Sequence, residues 1–147
     1  MKKINHFING QEYISKSDRF GDIFNPASGE KIGSVSFANK DDVALAIQNA
    51  SNAQKKWAAT PPLARSRVMF KFKELILRDM DKLALELTNE HGKILSDSVG
   101  SLTRGMEVVE FACGIPHLLK GEFSENVGTE IDSWSTRQPL GVCVGIS

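Results

Sequence analysis

The chain has 147 residues, of which 41% are hydrophobic and 24% charged, a composition typical of a globular protein with one ordinary domain or part of one. Eighteen basic residues balance eighteen acidic ones, and no run of Lys and Arg is long enough to follow a phosphate backbone, so we expect no nucleic-acid partner. No segment reaches the roughly 18 apolar residues of a membrane span, and no apolar stretch of signal-peptide length follows Met1. These observations predict a cytoplasmic protein with no membrane partner.

The amino-terminal region is predicted to be rich in β-structure. Asn9-Gly10 is a strong two-residue turn signal between two short strand-like runs, 6–8 and 11–14, and it predicts a β-hairpin. A second hairpin is predicted around 25–29, where a proline fixes φ and a glycine permits a positive φ.

The central region is predicted to be helical. Asn39 is suited to cap a helix whose apolar residues recur at helical spacing, and Thr60-Pro61-Pro62 interrupts that pattern. The helical period then resumes, with a jog near Asp79 and Asp81, and Gly92 is a good stop signal.

A further amphipathic helix is predicted from Leu95, with a kink or break at Pro116. Its polar face carries Arg104, Glu107 and Glu110. Arg104 could therefore either bind a ligand or form an ion pair with one of the two acidic residues.

The character of the sequence changes again after Gly121. Residues 122–128 are polar and loosely patterned, whereas 131–137 alternate as an exposed or half-buried strand would. Residues 140–146 have no polar side chain and two glycines, which predicts a strand buried on both faces in a parallel sheet. Such a strand needs neighbours, and nothing after Ser147 supplies them, so we expect the amino-terminal part of a larger enzyme.

Residues that could carry chemistry are few. Cys113 and Cys143 lie in apolar surroundings and are predicted to be buried free thiols, with a redox or catalytic role as the alternative. The three His residues are scattered, which favours surface or capping roles. Glycine-rich nucleotide loops, paired His at helical spacing and nucleophile elbows are absent from the sequence, so it predicts no catalytic residue and no metal ligand.

Four separated motifs resemble the aldehyde dehydrogenase superfamily: Phe7-Ile8-Asn9-Gly10, Asn25-Pro26-Ala27-Ser28-Gly29-Glu30, Asn89-Glu90-His91-Gly92-Lys93 and Arg137-Gln138-Pro139-Leu140-Gly141-Val142. Within the superfamily, residues 104–112 and 139–143 resemble the CoA-acylating methylmalonate-semialdehyde dehydrogenases. The resemblance covers essentially the whole chain.

The resemblance implies an α/β fold made of β-hairpins and long helices. Residues 1–120 would form the amino-terminal part of the NAD-binding domain. Residues 121–138 would form an oligomerisation β-arm, through which we expect a homo-oligomer. Residues 139–147 would form the first core strand of the nucleotide-binding sheet.

The resemblance also implies a reaction. Methylmalonate or malonate semialdehyde would be oxidised as a thiohemiacetal on a cysteine, with hydride transfer to NAD and thioester transfer to CoA. Neither Cys113 nor Cys143 matches the nucleophile, so we expect this chain alone to be inactive and to bind no cofactor tightly. The alternatives are a non-acylating dehydrogenase, which hydrolyses its thioester, and a non-catalytic module that self-associates through 131–137 and 140–146.

Three residues match positions of the family's site. Arg104 matches an arginine that binds the substrate carboxylate, and a planar guanidinium suits that role because it can donate two parallel hydrogen bonds. The alternative is a solvated arginine paired with Glu107 or Glu110. Ile146 and Ser147 match positions that line the nicotinamide half of the cofactor, with simple strand packing as their alternative.

Overall fold

The structure, a computed structural model, describes residues 2–146. The elements of this range, in chain order, are β1 (Lys2–Ile4), β2 (His6–Ile8), β3 (Gln11–Tyr13), β4 (Phe20–Phe24), β5 (Lys31–Ser36), α1 (Lys40–Ala59), α2 (Pro62–Arg78), α3 (Met80–His91), α4 (Leu95–Cys113), α5 (Ile115–Leu118), β6 (Phe123–Gly128) and β7 (Ile131–Trp134). The predicted α/β character, with hairpins before long helices, is confirmed.

The strands of the amino-terminal region form two small sheets. Strands β2 and β3 pair antiparallel around Asn9-Gly10, whose φ angles of 55° and 77° match the turn that the sequence predicted. Strands β4 and β5 form the second predicted hairpin. Strand β1 adds to β5 in parallel, giving the order β1-β5-β4. This three-residue strand was not predicted, because its partner lies about thirty residues further along the chain.

Local signals set the start of α1 and the end of α3. The Asn39 side chain accepts a hydrogen bond from the Asp42 backbone N–H, and the Asp42 carboxylate accepts one from the Asn39 backbone N–H, both at 2.9 Å. This reciprocal capping box begins α1. Helix α3 ends at Gly92, with φ at 81° and the Pro26 ring 2.9 Å from where a Cβ would lie. Glycine is therefore suited to this position, because it tolerates both the left-handed backbone and the close approach of the Pro26 ring.

Helices α2, α3 and α4 pack against one another through small residues. Ala84 on α3 and Ser98 on α4 are fully buried, and the Ser98 hydroxyl lies 2.7 Å from the Thr88 hydroxyl. Small side chains at the contact let the two helices approach closely, and the paired hydroxyls satisfy each other where water is excluded.

The carboxyl end of α4 is stabilised by a hydroxyl from α2. Within the described range, the Cys113 carbonyl receives no hydrogen bond from the backbone of the next turn. Pro116 has no N–H to donate, and the His117 N–H donates to the Gly114 carbonyl. The buried Ser66 hydroxyl donates to the Cys113 carbonyl at 2.6 Å. The helix thus breaks at Gly114, two residues before the predicted position, and Pro116 lies in the short α5.

The β-structure near the carboxyl end differs from the prediction. The polar segment 122–128, which lacked a clear strand pattern, forms β6 and pairs antiparallel with β7. Its register shifts around Asn126, whose φ is 53°, so a bulge explains the irregular pattern. Strand β7 ends at Trp134, whereas the alternating pattern extended to Arg137.

The predicted buried strand at 140–146 is wrong for this structure. These residues form no strand, and Leu140 and Ile146 are 96% and 97% exposed. The physical reason is the missing neighbour, since no element among residues 2–146 pairs with this segment and an apolar strand alone leaves its backbone groups unpaired. Cys143 is consequently exposed, which corrects the prediction that both thiols are buried, whereas burial of Cys113 is confirmed.

The chain exposes far more surface than a compact protein of its size. Its accessible area is 11642 Å² for 16.2 kDa. A compact monomer of that mass exposes about 7,500 Å². Large apolar side chains on most helices contribute to the excess. The fold therefore presents apolar faces that are suited to cover by further protein.

Candidate functional site

Arg104 lies on an exposed face of α4, half-way along the helix. One of its guanidinium nitrogens, Nη2, donates a hydrogen bond to the Ser101 hydroxyl at 3.1 Å, across one helical turn. The Ser101 oxygen also accepts a hydrogen bond from the Lys93 ammonium at 2.5 Å. Two cations therefore converge on one hydroxyl at the amino-terminal half of α4.

The acidic residues that could have neutralised Arg104 do not do so. Glu110 forms an ion pair with Lys73 of α2 at 2.6 Å, and this hydrogen bond raises the pKa of Lys73. Glu107 is exposed and takes part in no ion pair of the described residues. Within the same range, no carboxylate pairs with Arg104, so the alternative interpretation of this arginine as a helix ion pair is not met.

An apolar stripe continues from Arg104 along the same face of α4. Val108 and Phe111, four and seven residues further on, are 68% and 66% exposed. At 1.5 Å per residue their Cα atoms lie about 6 and 10.5 Å along the helix axis from the Cα atom of Arg104. A guanidinium at the head of an exposed apolar stripe suits a small ligand that has both a carboxylate and a hydrocarbon part.

The residues expected to line the cofactor follow β7 in the sequence. Ile146 is exposed, and Ser147 lies outside the described residues. Val144 instead lines a surface cavity of about 380 Å³ together with His6 and residues of α1. The assignment of Ile146 and Ser147 to the cofactor site stays a prediction.

A second polar cluster, which sequence reasoning missed, joins the first hairpin to α1. The buried Asp42 carboxylate accepts hydrogen bonds from Ser15 at 2.5 Å and from Tyr13 at 3.1 Å, in addition to its capping bond. The hydrogen bond from Ser15, followed by that from the Asn39 backbone, holds the pKa of Asp42 below its usual value. The hydrogen bond to Asp42 raises the pKa of Tyr13. The spacing of Asn39 and Asp42 is a capping-box signal that could have indicated this cluster.

Among the described residues, a buried thiol lies next to an ion pair. Cys113 lines a cavity of about 390 Å³ with Lys73 and Glu110, which pair with each other. Across residues 2–146, no group of three or more His, Cys, Asp or Glu side chains could hold a metal ion. In the same part of the chain, no helix is both long enough and apolar enough to cross a membrane.

The sequence and the fold together define the class of this protein. The family model described as "Aldehyde dehydrogenase family" matches residues 13–147, and the chain belongs to that family. The fold agrees, because a methylmalonate-semialdehyde dehydrogenase from Oceanimonas doudoroffii superposes with a TM-score of 0.90 at 48% identity, over 95% of this chain and 28% of that one. A Sinorhizobium meliloti protein described as a methylmalonate-semialdehyde dehydrogenase, solved with NAD, gives 0.92 at 48% identity, over 96% and 29%.

Individual relatives show which aldehyde dehydrogenases this chain resembles in sequence. The chain is 43% identical over its whole length to a malonate-semialdehyde dehydrogenase of Pseudomonas aeruginosa, and it spans 29% of that protein. It is 44% identical over 98% of its length to the mitochondrial, acylating methylmalonate-semialdehyde dehydrogenase of Arabidopsis thaliana, and it spans 24% of that protein. The resemblance predicted from the sequence motifs is confirmed. The chain spans less than a third of each of these relatives.

Proposed function

We propose that this chain supplies the carboxylate-binding part of the substrate site in an NAD-dependent dehydrogenase. The enzyme would oxidise methylmalonate or malonate semialdehyde to an acyl-CoA through a cysteine thioester. The observation that carries the proposal is that Arg104, on the exposed face of α4, pairs with no carboxylate of the described residues. The relatives named for the same two semialdehydes support it.

The chemistry assigned to this chain is binding and orientation. The Arg104 guanidinium would donate two parallel hydrogen bonds to the substrate carboxylate, which fixes the direction in which the aldehyde points. The short carbon chain of the substrate would lie along Val108 towards Phe111. When bound, NAD would accept the hydride, and the nucleophilic cysteine and the CoA site would lie outside this chain. We therefore expect no aldehyde oxidation by the 147 residues alone.

Substrate selectivity in the intact enzyme tests the proposal. Arg104→Ala should raise the KM for methylmalonate semialdehyde far more than the KM for propanal, which lacks the carboxylate. Removing one partner of a buried, hydrogen-bonded charge pair costs on the order of 2–5 kcal/mol. Arg104→Lys keeps the charge but not the planar pair of donors, so it should recover only part of the loss. An equal effect of Arg104→Ala on both substrates would refute carboxylate binding by Arg104.

The fate of the thioester separates the acylating enzyme from the non-acylating alternative. The acylating relatives favour transfer to CoA. Product analysis of the intact enzyme should then give an acyl-CoA that forms only when CoA is added. Free acid formed at the same rate without CoA would instead support the hydrolytic dehydrogenase.

Self-association of the segment 121–138 is part of the proposal. The β6–β7 hairpin is exposed nearly throughout, and its apolar residues Phe123 and Trp134 are 64% and 71% exposed. A two-stranded hairpin is marginally stable alone, and its open edges can pair with strands of another copy. We expect light scattering to give a homo-oligomer of the intact enzyme that deletion of 121–138 reduces to monomers. A monomeric intact enzyme would contradict this role.

A further inference from the structure

The Lys93 side chain, which follows the Gly92 helix stop, is held by two hydrogen bonds to α4. It is half-buried, and its ammonium donates to the Ser101 hydroxyl at 2.5 Å and to the Asp97 carbonyl at 3.2 Å. Both partners belong to the first two turns of α4. Lys93 is thus fixed to the helix that carries Arg104, although it lies outside that helix in sequence.

The shared hydroxyl brings two positive charges close together. Ser101 accepts from Lys93 at 2.5 Å and from Arg104 at 3.1 Å, so the two donor nitrogens lie less than about 6 Å apart, a distance at which like charges disfavour each other. A hydroxyl oxygen has two acceptor positions, and the two cations occupy both. No carboxylate among the described residues forms an ion pair with either cation. An anion bound between them would relieve the repulsion.

The contact between Arg104 and Ser101 also limits how the guanidinium can turn. One of its five N–H groups is directed at the Ser101 oxygen, and the Lys93 ammonium fixes that oxygen from the other side. Within residues 2–146, Ser101 is the one hydrogen-bond partner of the Arg104 guanidinium, so its other N–H groups are not paired within that range. The contacts thus orient the guanidinium and leave its donors available, which is what a binding site for a small carboxylate requires.

We propose that Lys93, acting through Ser101, is a positioning and specificity residue for the carboxylate-binding site of Arg104. It orients the guanidinium and adds a second positive charge, so that the site selects substrates with a carboxylate over uncharged aldehydes. This inference rests on the proposed function of Arg104. It extends that function to Lys93 and Ser101.

The test compares variants of the intact enzyme on methylmalonate semialdehyde and on propanal. Lys93→Met keeps the side-chain length but removes the charge, and Ser101→Ala removes only the shared oxygen. A misplacement of about 1 Å can cost a site roughly a hundred-fold. Each variant should therefore raise the KM ratio, which is the KM for methylmalonate semialdehyde divided by the KM for propanal, by roughly ten- to a hundred-fold. Lys93→Arg should restore part of the selectivity. The exposed Lys55 of α1 gives the matched control, and Lys55→Met should leave the ratio unchanged.

The outcomes separate this inference from the proposed function. If Arg104→Ala changes the KM ratio but Lys93→Met and Ser101→Ala do not, Lys93 has no positioning role and the function of Arg104 stands. A purely structural role for Lys93 would lower activity on both substrates equally, and Lys93→Arg would then restore no selectivity. If Lys93→Met fails to fold, Ser101→Ala decides alone, and an unchanged ratio in that variant overturns the inference. If Arg104→Ala leaves the ratio unchanged, the proposed function itself fails.

Discussion

The hydrogen bond from Ser66 to the end of α4 gives a sharp test of how the helices are held together. The Cys113 carbonyl is left without a helical donor by Pro116 and by the bond of His117 to Gly114, so the Ser66 hydroxyl is its one recorded partner within residues 2–146. Removing a donor from a buried acceptor costs about 1–3 kcal/mol. Ser66→Ala also gains roughly 0.5 kcal/mol of helix propensity. We therefore expect a net loss of about 0.5–2.5 kcal/mol in the free energy of unfolding.

Urea unfolding followed by circular dichroism measures this loss directly. At about 2–4 °C per kcal/mol for a domain near this size, the midpoint of thermal unfolding should fall by roughly 1–10 °C. The matched control is Ser51→Ala in the middle of α1, where the same exchange removes no recorded hydrogen bond and should raise stability by a few tenths of a kcal/mol. If Ser66→Ala were as stable as Ser51→Ala, the Ser66 hydroxyl would not stabilise the Cys113 carbonyl at the end of α4.

The Asp42 carboxylate should make the protein sensitive to acid. Its pKa is lowered in the folded chain, so its contribution to stability is fully present above the unfolded value of 3.8 and is lost as the pH falls through the folded pKa. The urea concentration at the unfolding midpoint should therefore decrease when the pH is lowered below about 4, and this decrease should be smaller in Asp42→Asn. An equal dependence on pH in both proteins would contradict this. Gly121→Ala should disrupt the β6–β7 hairpin, because the new methyl group would overlap a carbonyl oxygen just beyond β7, whereas Gly105→Ala, in open space on α4, should add about 0.5–1 kcal/mol of stability. Tryptophan fluorescence would report the disrupted hairpin of Gly121→Ala, and thermal melts would report the added stability of Gly105→Ala. Similar behaviour of the two variants would refute both expectations. The exposed Cys143 should react with a thiol reagent within seconds and the buried Cys113 only through local opening, so two equally fast reactions would contradict the burial of Cys113.

Features fixed by neighbours in sequence could be predicted from the sequence. The Asn9-Gly10 turn, the Asn39 cap and the Gly92 stop all appear in the structure because each depends on the backbone conformation of a few adjacent residues. Strand β1 could not be found in this way, since three residues carry little periodicity and its partner is distant.

The environment of Arg104 shows why the candidate site was only partly predictable. The helical period placed Glu107 and Glu110 near Arg104, but it could not show that Lys73 of α2 pairs with Glu110. It could not show either that Lys93, from the segment before the helix, shares Ser101 with Arg104, because that contact depends on how the chain turns into α4. Contacts between elements depend on the packing of the whole fold and leave no periodic signal in one element.

The segment 140–146 shows that composition alone does not predict whether a strand forms. Its composition is that of a strand buried on both faces, and yet the segment is exposed here. Composition records the environment in which a segment is stable, whereas the strand itself forms only when neighbours satisfy its backbone groups. The division at 121 and 139 and the cofactor role of Ile146 and Ser147 stay predictions for the intact enzyme.

A structure of the intact enzyme with an unreactive carboxylate analogue of the substrate, such as 3-hydroxypropanoate, tests the central claim most directly. The proposal predicts that the carboxylate lies within about 3 Å of two guanidinium nitrogens of Arg104, with its carbon chain directed along Val108. A carboxylate bound elsewhere, with Arg104 paired to an acidic side chain of the enzyme, would contradict it.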